Sequence, residues 1–241
     1  MAYQTALTIE SVIKDIDSKK YLLPSIQREF VWSTGQIEKL FDSLMRDYPI
    51  NAFLFWKVPR EKVSEFKFYE FLRDYHQKDN KHNPKANTNG TEDIIAILDG
   101  QQRMTSLYIA LKGTYAYKMS YKRWDNPAAY PKRKLYLNLL AASDDADMFY
   151  DFLFLTEEEA KNIKNDNDEY EGSFWFPVGK ILDFREESDV NDYLIDNDLN
   201  TVADKAQAKF ANKAEPTTLN RATGIILVIL GVVVMGFNWL S

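Results

Sequence analysis

Asp99-Gly100-Gln101-Gln102-Arg103 stands where an apolar run, IIAILDG (94–100), gives way to QQRMTSLYIALKG (101–113), in which Met104, Leu107, Tyr108 and Leu111 recur at helical spacing. A strand passing into a helix through an Asp-Gly turn can hold an anion. Gly100 permits a tight turn and close approach of a ligand to the backbone. The amides of Gln101 and Gln102 then lie at a helix N-terminus, where unpaired N–H groups and the helix dipole favour negative charge. Arg103 adds a fixed positive charge and a planar fork suited to phosphate oxygens. Asp99 could accept a hydrogen bond from a ribose or a bound water, or hold a metal ion. The same residues admit a local role, with Asp99 as an N-cap and Thr105 and Ser106 bonding within the helix. Spacing alone does not separate the two.

A second cluster is Gln27-Arg28 with Phe30 and Trp32. An arginine just after an Ile-Gln strand end, close to two aromatics, can reach a phosphate or stack on a base. Equally, Trp32 can cap the core while Arg28 pairs with a surface acid. A third cluster, Lys118, Lys122, Arg123, Lys132, Arg133 and Lys134, reads as a solvated face or as a phosphate-binding surface.

Other chemistries are excluded by what is missing. Cysteine is absent, which removes disulfides, Cys-type zinc sites, iron–sulfur clusters and thiol nucleophiles together. The two histidines, His76 and His82, match no common ligand spacing. There is no G-x-x-x-x-G-K-[ST], H-E-x-x-H or G-x-S-x-G. Carboxylates crowd 144–171, but between soft elements they read as a solvated face.

The elements that must position these residues follow from pattern. YLLPSIQREFVW (21–32) reads as strand and turn, because Pro24 breaks any helix there. Ser33 or Thr34 can N-cap a helix through Ile37, Leu40, Phe41, Leu44 and Met45 that stops at Tyr48-Pro49. AFLFWKV (52–58) reads as a buried strand, and 73–93 as a polar loop insertion holding both histidines. Gly113 suits the C′ position after the second helix. KLYLNLL (134–140) and FYDFLFL (149–155) are strand candidates. FWFPVGKIL (174–182) is a short strand whose proline puts it at a sheet edge. Residues 5–18 alternate only loosely, 156–171 is an acidic helix and loop, and 187–213 is a polar amphipathic helix.

At 241 residues, with 45% hydrophobic and 14% aromatic residues, the chain can bury a core and is not disordered as a whole. The formal charge of −6 argues against a protein that coats nucleic acid generally, but leaves room for a local basic groove. The N-terminus has no apolar signal-peptide core, which points to the cytoplasm. GIILVILGVVVMGFNWL (224–240) is uncharged over 17 residues. As a helix it would span roughly 26 Å, the short end of what a bilayer requires. With Arg221 and Trp239 at its ends it reads as a tail anchor in the inner membrane, or as a buried C-terminal helix or strand.

Taken together, LPSIQREFVWSTGQIEKLFDSLMRDYPI (23–50) and ILDGQQRMTSLYIAL (97–111) resemble the N-terminal domain of GmrSD-type modification-dependent restriction enzymes, within the ParB/sulfiredoxin-like superfamily. The likeness covers roughly 8–215. It implies an α+β fold, a small mixed β-sheet with packed helices, over 1–215, followed here by a hydrophobic helix at 222–240. It also implies binding and hydrolysis of a nucleoside triphosphate with Mg2+, governing attack on modified phage DNA. Carried over, Gln27, Arg28, Gly100, Gln101, Gln102 and Arg103 bind the nucleotide, and Asp99 with Arg103 is catalytic, Asp99 orienting water or magnesium. DNA cutting in such enzymes belongs to a separate HNH-type nuclease domain, whose histidines this chain lacks; such a domain or subunit and DNA are the implied partners. After TTLNR (217–221) the family continues through soluble helices, whereas this sequence turns apolar, as in a truncated or frame-shifted copy or a membrane-tethered variant.

Overall fold

The computed structural model describes residues 7–26, 29–88, 93–162, 173–197 and 199. Helix α1 (Ile9–Asp17) opens on Thr8, whose Oγ1 accepts the Ser11 amide at 3.0 Å. Its Ile9, Val12, Ile13 and Ile16 are buried. The loose alternation of this stretch is thus a helical stripe, because i, i+3, i+4 and i+7 fall on one face. Strand β1 (Tyr21–Pro24) follows. Helix α2 (Thr34–Met45) starts in a capping box, Ser33 Oγ accepting the Gln36 amide at 3.4 Å and Gln36 Oε1 accepting the Ser33 amide at 3.0 Å.

Strand β2 (Leu54–Val58) leads into the short α3 (Arg60–Val63) and the brief strands β3 (Phe68–Tyr69) and β4 (Asp74–His76). Strand β5 (Ile94–Asp99) passes through Gly100 into helix α4 (Gln101–Lys112) and then strand β6 (Thr114–Ala116). Beyond a short 3-10 turn at Pro127–Ala129 come the long β7 (Lys132–Ala142), β8 (Tyr150–Leu155), α5 (Glu157–Asn162) and β9 (Trp175–Pro177). Helix α6 (Glu187–Asp196) follows a second 3-10 turn at Val178–Asp183.

The strands form two small mixed sheets rather than one. The first has the order β2-β5-β1-β3, with β1 parallel to β5 and the outer pairs antiparallel. The second runs β4-β6-β7-β8, with β4 parallel to β6 and β9 added antiparallel to β7. Strand β9 lies at an edge, as its proline requires. The main core draws Ile37 and Leu44 of α2, Met104 and Ile109 of α4, and Leu135, Leu137 and Phe152 of the second sheet into one cluster. A smaller cluster, Leu22, Val58, Val63, Phe68, Ile94 and Ala96, forms separately with the first sheet.

Three local expectations change. Strand β2 is an edge strand whose Leu54 and Lys57 are exposed, so it is not buried: only one of its sides has a partner strand. The polar segment 73–93 is not all loop, since β4 lies inside it and the Glu70 amide bonds Pro84 O at 2.8 Å. Gly113 has φ −114°, so it is no left-handed cap. Glycine is needed there because a Cβ would stand 1.7 Å from Arg73 O. The hydrophobic tail at 222–240 and most of 187–213 beyond α6 lie outside the described residues. Among the described residues no helix is long and apolar enough to cross a membrane.

Candidate functional site

Strand β5 ends at the exposed Asp99, and Gly100 turns the chain with φ 84° and ψ 10°. The left-handed backbone favours glycine, and so does space, because a Cβ would meet Phe53 Cδ1 at 2.3 Å. What approaches this glycine from within the chain is therefore the Phe53 ring. Gly100 is itself the N-cap and offers no side chain, so Asp99 does not cap α4. The Met104 amide bonds Gly100 O at 2.9 Å, beginning the helical ladder. The amides of Gln101, Gln102 and Arg103 have no acceptor among the described residues. They are the orphan donors of the first turn.

The two glutamines do different work. Gln101 Nε2 turns back to Ile97 O at 2.9 Å and Leu98 O at 3.4 Å, tying the helix start to the strand end. Gln102 reaches sideways: its Nε2 donates to Glu29 O at 2.9 Å and its Oε1 accepts the Val31 amide at 3.0 Å. A side-chain amide thereby mimics a strand partner, and it binds the chain just after Gln27-Arg28 to the first turn of α4. Gln27 and Arg28 themselves lie outside the described residues.

Arg103 is largely buried, with its side chain 15% exposed. Its guanidinium donates from Nη1 to Ile50 O and to Asn51 O at 3.0 Å, and from Nη2 to Ala52 O at 3.0 Å. Its plane lies over the Phe53 ring at 4.7 Å, and Nη2 is 3.8 Å from Asp99 Oδ2. The fork is engaged by three successive carbonyls, helped by the left-handed Asn51 at φ 66°. Sequence reasoning missed this loop. The one hint was the Pro49-Ile50-Asn51 break between helix and strand, which marks a turn but not its partner.

The aromatic neighbours settle on the structural side. Phe30 is buried and meets Tyr75 at 5.8 Å, while Trp32 packs on the core and its carbonyl accepts the Tyr115 hydroxyl at 2.9 Å. Thr105 and Ser106 are buried, and Ser106 Oγ has no hydrogen-bond partner among the described residues. His82 is exposed yet pairs with Glu29 Oε1 at 3.1 Å, which folds the 73–93 segment back beside the Gln102 contact. His76 instead accepts the Lys78 and Asp79 amides on Nδ1 and stacks 4.9 Å from Tyr130. The basic cluster is split. Arg133 is buried, 4.2 Å over Tyr117 and 3.4 Å from Glu159, and so cannot share a surface with Lys132 and Lys134 on the opposite side of β7.

Two carboxylates of α2 lie off this site and bind the edge of β8. Asp42 Oδ1 accepts the amides of Phe149 and Tyr150, both at 2.9 Å, and Glu38 Oε1 accepts that of Phe154 at 3.1 Å. Helix α2 thus covers the outer edge of β8. Burial pushes the Glu38 carboxyl up to about 7, against the Phe154 N–H and with help from Asp151. Burial also raises Asp151, partly offset by the Asn138 amide 3.2 Å away. Among the described residues no three His, Asp or Glu side chains converge as a metal site.

Two comparisons bear on this geometry. Residues 9–228 match the family described as the GmrSD restriction endonuclease, N-terminal domain. Over 100 residues the chain is 33% identical to the uncharacterized protein MJ0686 of Methanocaldococcus jannaschii, a match covering 42% of this chain and 16% of that protein.

Proposed function

The chain belongs to the family of GmrSD restriction endonuclease N-terminal domains, and from that premise we propose that it is the nucleotide-binding regulatory module of a modification-dependent restriction system. The observation that carries the reading is the pair of hydrogen bonds by which Gln102 donates to Glu29 O and accepts the Val31 amide. It sets Glu29 and Val31, which follow Gln27-Arg28 in the chain, beside the first turn of α4, and this supports a reading in which both motifs serve one spot. There the amides of Gln101, Gln102 and Arg103 and the positive end of the helix receive phosphate oxygens. Arg28 supplies a cation to them. Arg103 contributes its charge at the same turn while its fork holds the 50–52 carbonyls.

The donor set suits magnesium in one mode only. Asp99 is a lone exposed carboxylate beside an anion-binding helix end, and Mg2+ usually takes one or two carboxylates with the remaining ligands from phosphate and water. Asp99 would hold it, and the ion would neutralise charge on the phosphates. Asp99, exposed and 3.8 Å from Arg103 Nη2, would also orient a water for hydrolysis. Phage defence follows from the restriction setting, with DNA cleavage by a separate HNH-type nuclease domain or subunit and the chain acting in the cytoplasm.

The test is triphosphate binding and turnover with magnesium on the full chain. Arg28→Ala removes a charge-assisted phosphate contact and should weaken binding roughly tenfold or more. Gln102→Ala should do the same by releasing the 29–31 segment, with little change in melting temperature. Unchanged affinity in both variants would sink the assignment.

A further inference from the structure

The connection between β6 and β7 ends in a tip whose rings and cations the nucleotide site does not use. Tyr121 is fully exposed and holds φ 62°, a conformation that bulky side chains rarely adopt. Trp124 is half exposed; its ring meets Tyr130 edge-on at 5.8 Å and its carbonyl accepts the Tyr130 hydroxyl at 3.0 Å. Tyr130 is buried, and the tip closes through the Met119 amide to Ala129 O at 2.7 Å. The tip is therefore braced, and it presents its rings rather than trailing them.

Cations alternate with these rings. Lys122 lies between Tyr121 and Trp124 in sequence, and Lys132 follows at the start of β7. Neither has an acidic partner among the described residues. Lys118 donates to Met119 O at 3.1 Å, whereas Arg123 is shared with Asp125 at 3.2 Å. Lys118 and Lys122 on the connection and Lys132 at its end thus carry no ion pair among the described residues, on a chain of net charge −6; the acids at the tip are Asp125, which holds Arg123, and Asp79, which faces Tyr130.

From this juxtaposition we infer that the tip is a contact for single-stranded nucleic acid, with Tyr121 stacking on an unpaired base and Lys118, Lys122 and Lys132 meeting phosphates. A single strand offers base faces and phosphates in alternation, which interleaved rings and cations match. A duplex covers its base faces, leaving Tyr121 nothing to stack on. An apolar protein partner would call for a continuous patch, but Lys122 and Arg123 interrupt the rings. The inference is independent of the nucleotide reading.

Fluorescence anisotropy of a labelled oligothymidylate of roughly 20 nucleotides with the full chain tests it, beside a duplex of equal length. Tyr121→Gly should weaken single-strand binding by roughly 5- to 150-fold, the range for one lost base stack. Its melting temperature should not fall, because glycine adopts this backbone freely. Tyr121→Phe keeps the ring and should bind as the parent does. The slope of log affinity against log salt should be about −2 for three phosphate contacts, and shallower by about 0.7 in Lys122→Ala. Binding indifferent to Tyr121→Gly, duplex held as tightly as single strand, or no binding at low salt would each overturn the inference.

Discussion

Replacing Arg103 by lysine keeps a positive charge at the turn but removes the fork, and it should destabilise the fold. Three carbonyls accept from the guanidinium: Ile50 O, Asn51 O and Ala52 O. Hydrogen bonds to a charged donor contribute about 1.5–3 kcal/mol each, mostly as the cost of leaving a dry partner unpaired. Ile50 is buried, whereas Asn51 and Ala52 are exposed and their carbonyls can return to water. Only one acceptor therefore carries the full penalty. The stack on Phe53 at 4.7 Å adds about 0.5–1 kcal/mol. The expected loss is about 2–4 kcal/mol for Arg103→Ala. For Arg103→Lys it is about 1.5–3 kcal/mol, because an ammonium on a flexible stem replaces one of the three bonds and not the planar set. Urea unfolding followed by circular dichroism measures both, with equal m-values required for comparison. A lysine variant within about 0.5 kcal/mol of the parent would refute the claim that the fork, rather than the charge, is what the fold uses. Loss of nucleotide affinity in Arg103→Ala has meaning only where that variant is folded.

Gly100→Ala should cost about 2 kcal/mol or more, since φ 84° is strained for any L side chain and the new methyl would overlap the Phe53 ring; truncating Phe53 in the same chain should return only the steric share, and full recovery would show that the backbone is unstrained. The Glu38 carboxyl is raised from 4.5 to about 7 in the fold, so the folded protein keeps a proton that the unfolded chain releases across that window. Stability should therefore be greater near pH 4.5 and fall as pH rises through 7, by about 3 kcal/mol at most for a shift of this size. Glu38→Gln retains an acceptor for the Phe154 amide and should flatten that fall; an unchanged pH dependence in urea titrations would remove Glu38 as its source. Gln102→Ala should accelerate amide exchange at Val31 while leaving exchange in the α4 interior near the parent rate; equal protection at Val31 would mean that the Gln102 contact does not hold the segment.

Much was legible in the linear pattern. Ser33 and Gln36 stand at capping-box spacing, and apolar residues at 37, 40, 41, 44 and 45 leave α2 no other face to bury. Ile94–Asp99 followed by Gly100 could only be a strand meeting a turn, and the helix after it followed from its own periodicity. These features are local, since each rests on residues within two turns of one another. Even α1 was present in the spacing of Ile9, Val12, Ile13 and Ile16, though obscured by an alternation that fits two periods.

What the sequence could not decide was the destination of long side chains. Arg103 at a helix start suits a phosphate by its type, yet its fork is filled by carbonyls some fifty residues earlier. Gln102 suits the same role, yet it joins residues 29 and 31 to the turn, across more than seventy residues. The division into two sheets has the same origin, because β4 finds β6 across the intervening β5 and α4. Periodicity and capping act through neighbours along the chain, whereas these contacts depend on which surfaces meet when the core closes. The linear pattern could identify the donors of the turn; only the folded chain determined which acceptors they reach.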